Sequence, residues 1–221
     1  MKVLVFDTET TNVLPKYAPL MKKYVSKFPY IVQLSFILYD TECGNILETG
    51  DNIIKLDSDV ELPESSIKIH GITRENMETN GINIKDALEG LRKCYNMCDV
   101  IVAHNIKFDN TMIIVECMRN ELPVIIDKNN KNVECYCTMN NSINMCNIIV
   151  ETNTGSYKKF PTQYELHAYL FPNDPIDTSK LHNSFNDILL CLRCYIKMAH
   201  NQDILEDNIE MKKYFDILLQ N

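Results

Sequence analysis

The sequence contains no apolar run approaching the roughly 20 residues of a membrane-spanning helix. It does not open with the charged-then-apolar segment of a secretory leader. An intracellular protein with no membrane partner is the expectation. Glycine is sparse, with 6 among 221 residues, and no Gly-rich phosphate loop or nucleophile motif occurs. That weighs against a generic small-molecule α/β enzyme. Internal repeats, low-complexity tracts and linkers are also missing. Basic charge is short, because 22 Lys and Arg stand against 30 Asp and Glu, a net charge of −8. This argues against a large basic surface wrapping duplex DNA. It does not exclude a nucleic acid held in a small cleft through metal ions.

Cysteine is present without a framework. The nine cysteines are odd in number and irregular in spacing, and Cys117, Cys191 and Cys194 fall inside helical apolar patterns. Cys191-x-x-Cys194 has no second pair at zinc-site spacing, so free thiols in a reducing compartment are expected rather than a zinc site. Hydrophobic residues make up 45% of the chain and charged residues 24%, enough for one full core. The heavy use of Asn, Ile and Lys hints at an AT-rich genome, such as that of a virus or parasite.

Val3-Leu-Val-Phe6 is an unbroken apolar run and reads as a strand buried on both faces. Asp7 and Glu9 follow it. Side chains two apart on a strand share a face, so these carboxylates converge where the apolar run ends. Like charges at the edge of a core repel and lose hydration, and a divalent cation with oxygen ligands would offset that cost. A strand ending in a polar turn accounts for the same residues.

Residues 11–30 read as a loop broken by Pro15, Pro19 and Pro29. Its Lys16, Lys22, Lys23 and Lys27 could guide a phosphate backbone or be merely solvated. Ile31–Tyr39 and Asn45–Leu56 are predicted strands joined by a turn at Glu42–Asn45. A short helix follows Pro63 and stops at Gly71, and Thr73 starts another turn. Helices are predicted over Asn83–Met97 and Lys107–Arg119, flanking a second buried strand at Asp99–Ala103. Alternating strands and helices imply an α/β fold with right-handed crossovers. Val133–Cys137 reads as a short strand, Thr138–Cys146 as a helix, and Asn147–Lys159 as a loop. Helices are expected at Pro161–Leu170, at Phe185–Ala199, and once more in the last 20 residues through Leu205, Ile209, Phe215 and Leu218.

Two further acids follow buried or helical segments, Asp109 after the second buried strand and Asp187 five residues beyond His182. Parallel neighbouring strands end at the same sheet edge, where α/β ligand sites form. Taken singly, each residue has an ordinary explanation. Asp109 complements a helix dipole, and Ser184-x-x-Asp187 fits a capping box with Ser184 at the N-cap. Taken together, four acids and a histidine in this order are poorly explained by coincidence.

Phe6-Asp7-Thr-Glu9-Thr10, Ala103-His104-Asn105-x-x-Phe108-Asp109 and His182-x-x-x-x-Asp187 resemble the three motifs of the DEDD exonuclease superfamily. The histidine before the last acid is similar to that of the DEDDh branch. That branch includes the proofreading subunit of bacterial DNA polymerase III, ribonuclease T and the TREX nucleases. His70-Gly-Ile-Thr73 and Tyr157–Phe171 are further family-like stretches, so the resemblance spans residues 1 to about 199. Ser184 stands where the family usually has alanine, and the Lys128–Lys159 region is longer than usual.

The resemblance implies a ribonuclease H-like fold, a mixed five-stranded sheet with helices on both faces. It divides the chain into an exonuclease domain over 1–200 and a helical extension of the same domain over 201–221. It implies that Asp7, Glu9, Asp109 and Asp187 hold two Mg²⁺ or Mn²⁺ ions, with His182 as general base toward water. Thr8, Thr10, His70, Asn105 and Phe108 would line the pocket for the terminal nucleotides. The implied activity is 3′→5′ exonucleolytic release of nucleoside monophosphates. DNA, single-stranded above all, is the leading substrate, and RNA is the alternative on the same site. A polymerase or another replication or repair protein is an implied partner. A non-catalytic nucleic-acid-binding relative is a minor third reading, since such relatives usually lose a ligand acid. Oligomeric state is not legible.

Overall fold

A computed structural model describes residues 1–126, 133–206, 208–216 and 218. Its centre is β1 (Lys2–Thr10), paired antiparallel with β2 (Ile31–Asp40) and parallel with β4 (Val100–Ala103). β3 (Asn45–Ile53) pairs antiparallel with β2, and β5 (Glu134–Cys137) pairs parallel with β4. The sheet order is β3-β2-β1-β4-β5. This is the mixed five-stranded sheet of a ribonuclease H-like fold, as the resemblance implied.

Period-2 alternation in β1 feeds two cores. Leu4 and Phe6 enter one cluster with Leu88 and Leu91 of α3 (Ile84–Tyr95) and Met112 and Ile113 of α4 (Ile106–Arg119). Val3 and Val5 enter the other, with Ile188, Leu192 and Ile196 of α7 (Ser184–His200). A strand covered by helices on both sides has no use for polar alternation, hence the continuous apolar run.

Two short helices, α1 (Glu64–His70) and α2 (Arg74–Asn80), lie between β3 and α3. Gly71 closes α1 at φ 73°, a left-handed conformation that glycine adopts without a Cβ penalty. α5 (Thr138–Cys146) and α6 (Gln163–Leu170) precede α7. Thr162 and Glu165 form a capping box at α6, so Pro161 sits just outside that helix rather than starting it.

Four further expectations change. Residues 147–159 are not a plain loop, because Ile149–Thr152 (β6) and Gly155–Lys158 (β7) pair as an antiparallel hairpin. Both strands are short and nearly all exposed, so they carry no apolar alternation to read. Residues 11–30 include a 3₁₀ turn at Lys22–Lys27, tied to α4 through Val25, Phe28 and Val115. The N-cap of α7 is Asn183, whose side chain accepts from the amides of Phe185 and Asn186; Ser184 is the first helical residue. The C-terminal helix α8 covers only Ile209–Phe215, begun by the Asn208 cap, and leaves Leu205 outside.

Met211, Phe215 and Leu218 are nevertheless buried in the α7-side core. Buried Arg193 of α7 reinforces this packing, bonding Asp203 through Nε at 2.9 Å and Nη2 at 2.7 Å. Its Nη2 also lies 2.5 Å from Asp174 beyond α6. None of the nine cysteines forms a disulfide, and Cys191 and Cys194 are buried. No helix among the described residues is long and apolar enough to cross a membrane. Residues 128–132 of the Lys128–Lys159 region lie outside the described residues.

Candidate active site

The register of the central strands sets the site. Val3, Leu4 and Val5 pair with Val100, Ile101 and Val102, so β4 ends beside Phe6, one residue before Asp7. The chain then turns through Asn105, at φ 69° and ψ 46°, into α4. Asp109 falls in the first turn of that helix and points back at β1. Its Oδ1 accepts from the Thr8 amide at 3.0 Å and from the Thr8 hydroxyl at 2.8 Å.

The third element arrives from the other face. Ser35 and Gln33 on β2 lie opposite Asp7 and Glu9. The Ser35 hydroxyl is 2.6 Å from that of Ser184, and Gln33 Oε1 accepts from the Ser184 amide at 3.2 Å. The first turn of α7 is thereby fixed against the cross-strand neighbours of the two leading acids. Asp187 is carried to the same sheet edge, where its Oδ2 accepts from the His182 amide at 3.1 Å. His182 has φ 63°, a left-handed turn that is uncommon for a residue with a side chain.

Asp7, Thr8, Glu9, Asn105, Phe108, Asp109, His182 and Asp187 all line one cleft of about 690 Å³. Ligand atoms of Glu9, His182 and Asp187 lie within 4.8 Å of one another. The structure does not bring Thr10 or His70 into this cleft. Thr10 is buried and its hydroxyl donates to the Asn12 carbonyl at 2.7 Å. His70, also buried, closes α1, with Nδ1 accepting from the Ile72 amide at 3.0 Å. Its Nε2 therefore carries the proton, and it has no hydrogen-bond partner among the described residues.

The acids suffer from each other's company. Burial, then the charges of Asp109, Asp187 and Glu9, push Asp7 well above the usual carboxylate range. Glu9 is raised to about 8, first by burial and then by Asp187 and Asp109. Burial raises Asp109 to about 7 despite the two Thr8 hydrogen bonds, and raises Asp187 to about 7 despite the His182 amide. No side-chain cation answers these charges among the residues lining the cleft. Cys191, which feels the charge of Asp7, has its own titration raised far by burial and stays a thiol. Four carboxylates with one imidazole and no thiolate form a donor set suited to hard divalent cations.

Four further residues line the cleft with no role assigned from the motifs, His104, Phe160, Gln163 and Tyr164. The His104 ring bridges the Thr138 hydroxyl at 3.0 Å and the Pro161 carbonyl at 3.1 Å. A carbonyl only accepts, so His104 Nε2 is the protonated nitrogen and Nδ1 accepts from Thr138. Burial lowers this histidine to about 4, opposed by the Pro161 carbonyl. Gln163 Nε2 donates to the Asp187 carbonyl at 2.5 Å. Phe160 and Tyr164, 56% and 42% exposed, face the same cleft. Exposed aromatic rings in a polar stretch were the signal available for these two.

The sequence matches the family described as RNase T, exonuclease, over residues 4–195. The chain belongs to this exonuclease family. The fold is similar to E. coli exonuclease I in complex with a dA16 oligonucleotide. The TM-score is 0.63 at 17% identity, over 90% of this chain and 41% of that one. The dT13 complex gives 0.62 at 17% identity, over 90% and 42%. A zinc-bound exonuclease I–ssDNA complex gives 0.62 at 17% identity, over 90% and 41%. At this identity the likeness concerns the fold, and the exonuclease-family chain spans about two-fifths of those proteins' length. No curated protein matches the sequence.

Proposed function

We propose that this exonuclease-family chain hydrolyses phosphodiester bonds from the 3′ end of DNA, single strands foremost, releasing nucleoside monophosphates. The observation that carries the reading is the meeting of Asp7, Glu9, Asp109, Asp187 and His182 in one cleft, from three separate chain segments. The oligonucleotide complexes of the structurally similar exonuclease I support a single-stranded substrate. We further propose residues 1–200 as the exonuclease domain, with 201–221 as a helical extension of it.

Asp7, Glu9, Asp109 and Asp187 would hold two divalent cations, Mg²⁺ or Mn²⁺. These would supply charge neutralisation and Lewis acidity at the scissile phosphate. The chain's own groups do the rest. Thr8 holds Asp109 in a single orientation through two hydrogen bonds. The His182 amide fixes Asp187, and the imidazole, with a ring nitrogen within 4.8 Å of the Glu9 and Asp187 carboxylates, accepts the proton of the attacking water. Phe108 offers a ring face to the terminal base and Asn105 a polar edge. Stacking without base-edge readout makes cleavage tolerant of sequence.

The deciding experiment digests 5′- and 3′-labelled oligonucleotides of DNA and RNA with and without EDTA. The expected result is stepwise loss from the 3′ end of DNA, release of mononucleotides, and no reaction in EDTA. Faster digestion of RNA would reassign the substrate. Degradation from the 5′ end, or an EDTA-resistant reaction, would overturn the proposal.

A further inference from the structure

The acids form the partly buried floor of the cleft, and one rim is aromatic. Phe160 and Tyr164 expose 56% and 42% of their surfaces while lining the same space as the acids. Folding alone gives no reason to leave two such rings exposed over one cleft, because each forfeits the gain from burying an aromatic side chain. The wall that carries them is also held stiffly. His104 grips the Pro161 carbonyl from the end of β4, and Gln163 grips the Asp187 carbonyl on α7. The capping box of Thr162 and Glu165 starts α6 between the two rings, and Lys159 closes on Glu165 at 2.6 Å. The rings are therefore displayed by the catalytic framework itself rather than by a loose segment.

We propose that the Phe160–Tyr164 rim is a stacking surface for nucleobases upstream of the scissile phosphodiester. This rests on the nuclease reading above. The occupant follows from continuity with the acidic floor, since a strand with its terminal phosphate over the acids must lay its next bases along a rim. Aromatic faces receive any base, so the rim measures the presence of upstream nucleotides and not their sequence. It makes a longer strand a better substrate than a single nucleotide ester.

The test compares kcat/KM on octathymidylate with kcat/KM on the 4-nitrophenyl ester of thymidine 5′-phosphate, which has no upstream base. Phe160→Ala and Tyr164→Ala are each expected to lower the ratio of the two about tenfold, within the range that base–aromatic stacking supplies. Tyr169→Ala, on the same helix but outside the cleft, is expected to leave the ratio unchanged. An unchanged ratio in both rim variants, with melting temperatures like wild type, overturns the inference and leaves the nuclease reading standing. An equal fall in Tyr169→Ala also overturns it. A wild-type protein that hydrolyses neither substrate removes both readings together.

Discussion

The hydroxyls of Ser35 and Ser184 lie 2.6 Å apart in the interior, between the strand opposite Asp7 and the first turn of the helix that carries Asp187. Both residues are fully buried. Ser35 has a second partner, Asp51, at 2.8 Å, whereas among the described residues the Ser184 hydroxyl has only Ser35. The pair is therefore asymmetric. Ser35→Ala strands the Ser184 hydroxyl and is expected to cost about 1–3 kcal/mol, while Ser184→Ala leaves Ser35 satisfied and costs about 1 kcal/mol or less. Urea unfolding of the two variants measures the order. Equal losses would mean that the contact does not join β2 to α7.

Asp7 trades stability for its place in the site. Its folded-state titration lies well above that of an unfolded aspartate, through burial and three acidic neighbours. For an acid raised in this way the fold binds the proton more tightly, so stability falls as pH rises from the unfolded value toward the folded one. Asn in its place removes that loss. In EDTA at pH 8, Asp7→Asn is expected to be more stable than wild type by about 0.5–2 kcal/mol. With millimolar Mn²⁺ the order should reverse, because only the complete acid set gains from ligand binding. Its nuclease activity should fall at least a hundredfold. Melting curves with and without the cation check the reversal; a variant less stable than wild type in EDTA would contradict it.

The His182 backbone fixes Asp187, and the proposed proton transfer falls to its ring. The amide that orients Asp187 belongs to the main chain, so His182→Ala keeps that hydrogen bond. The left-handed φ of 63° is uncommon for any residue with a side chain and more so for alanine than for histidine. The variant should fold, at a cost of about 1 kcal/mol or less for that turn, and lose about 10²–10⁴-fold in kcat, the usual contribution of a general base. A loss below tenfold in single-turnover assays would remove the imidazole from the proton transfer.

What the sequence made legible follows the physics of each segment. β1 could be read because burial on both faces leaves an unbroken apolar run, and its register with β4 explains why Asp109 had to be near Asp7. Asp187 was legible only through its spacing from His182, since the contacts that place it, Ser35 with Ser184 and Gln33 with the Ser184 amide, cross about 150 residues. Such long-range pairs leave no local pattern. The β6–β7 hairpin was illegible for the opposite reason, because solvent-exposed strands need no apolar alternation. His70 and Thr10 each sit in a family-like stretch, yet neither is among the residues lining the cleft, and their side chains bond the local backbone at Ile72 and Asn12.

His104 and His167 are expected to remain neutral far into acid. Burial lowers each to about 4, with the charge of Arg193 adding to the effect at His167 and the Pro161 carbonyl opposing it at His104. A base depressed in the fold binds fewer protons there than in the unfolded chain. Its contribution to stability is therefore full above about pH 6.5 and is lost as pH falls from there toward 4. Each can account for at most about 3 kcal/mol over that window, at about 1.4 kcal/mol per pH unit. The imidazole resonances of both should stay in place between pH 8 and 5 in a cation-saturated NMR titration. For His104 the consequence reaches the site. A second ring proton would turn Nδ1 from acceptor to donor, and the Thr138 hydroxyl would then accept from it and give its own proton to the Ala103 carbonyl at 3.4 Å. His104→Gln, which keeps an N–H for Pro161 but does not titrate, should show a shallower loss of stability in acid than wild type. A His104 midpoint near 6.5, or identical acid profiles for the two proteins, would show that the ring is not the neutral bridge between β4, α5 and the Phe160 rim.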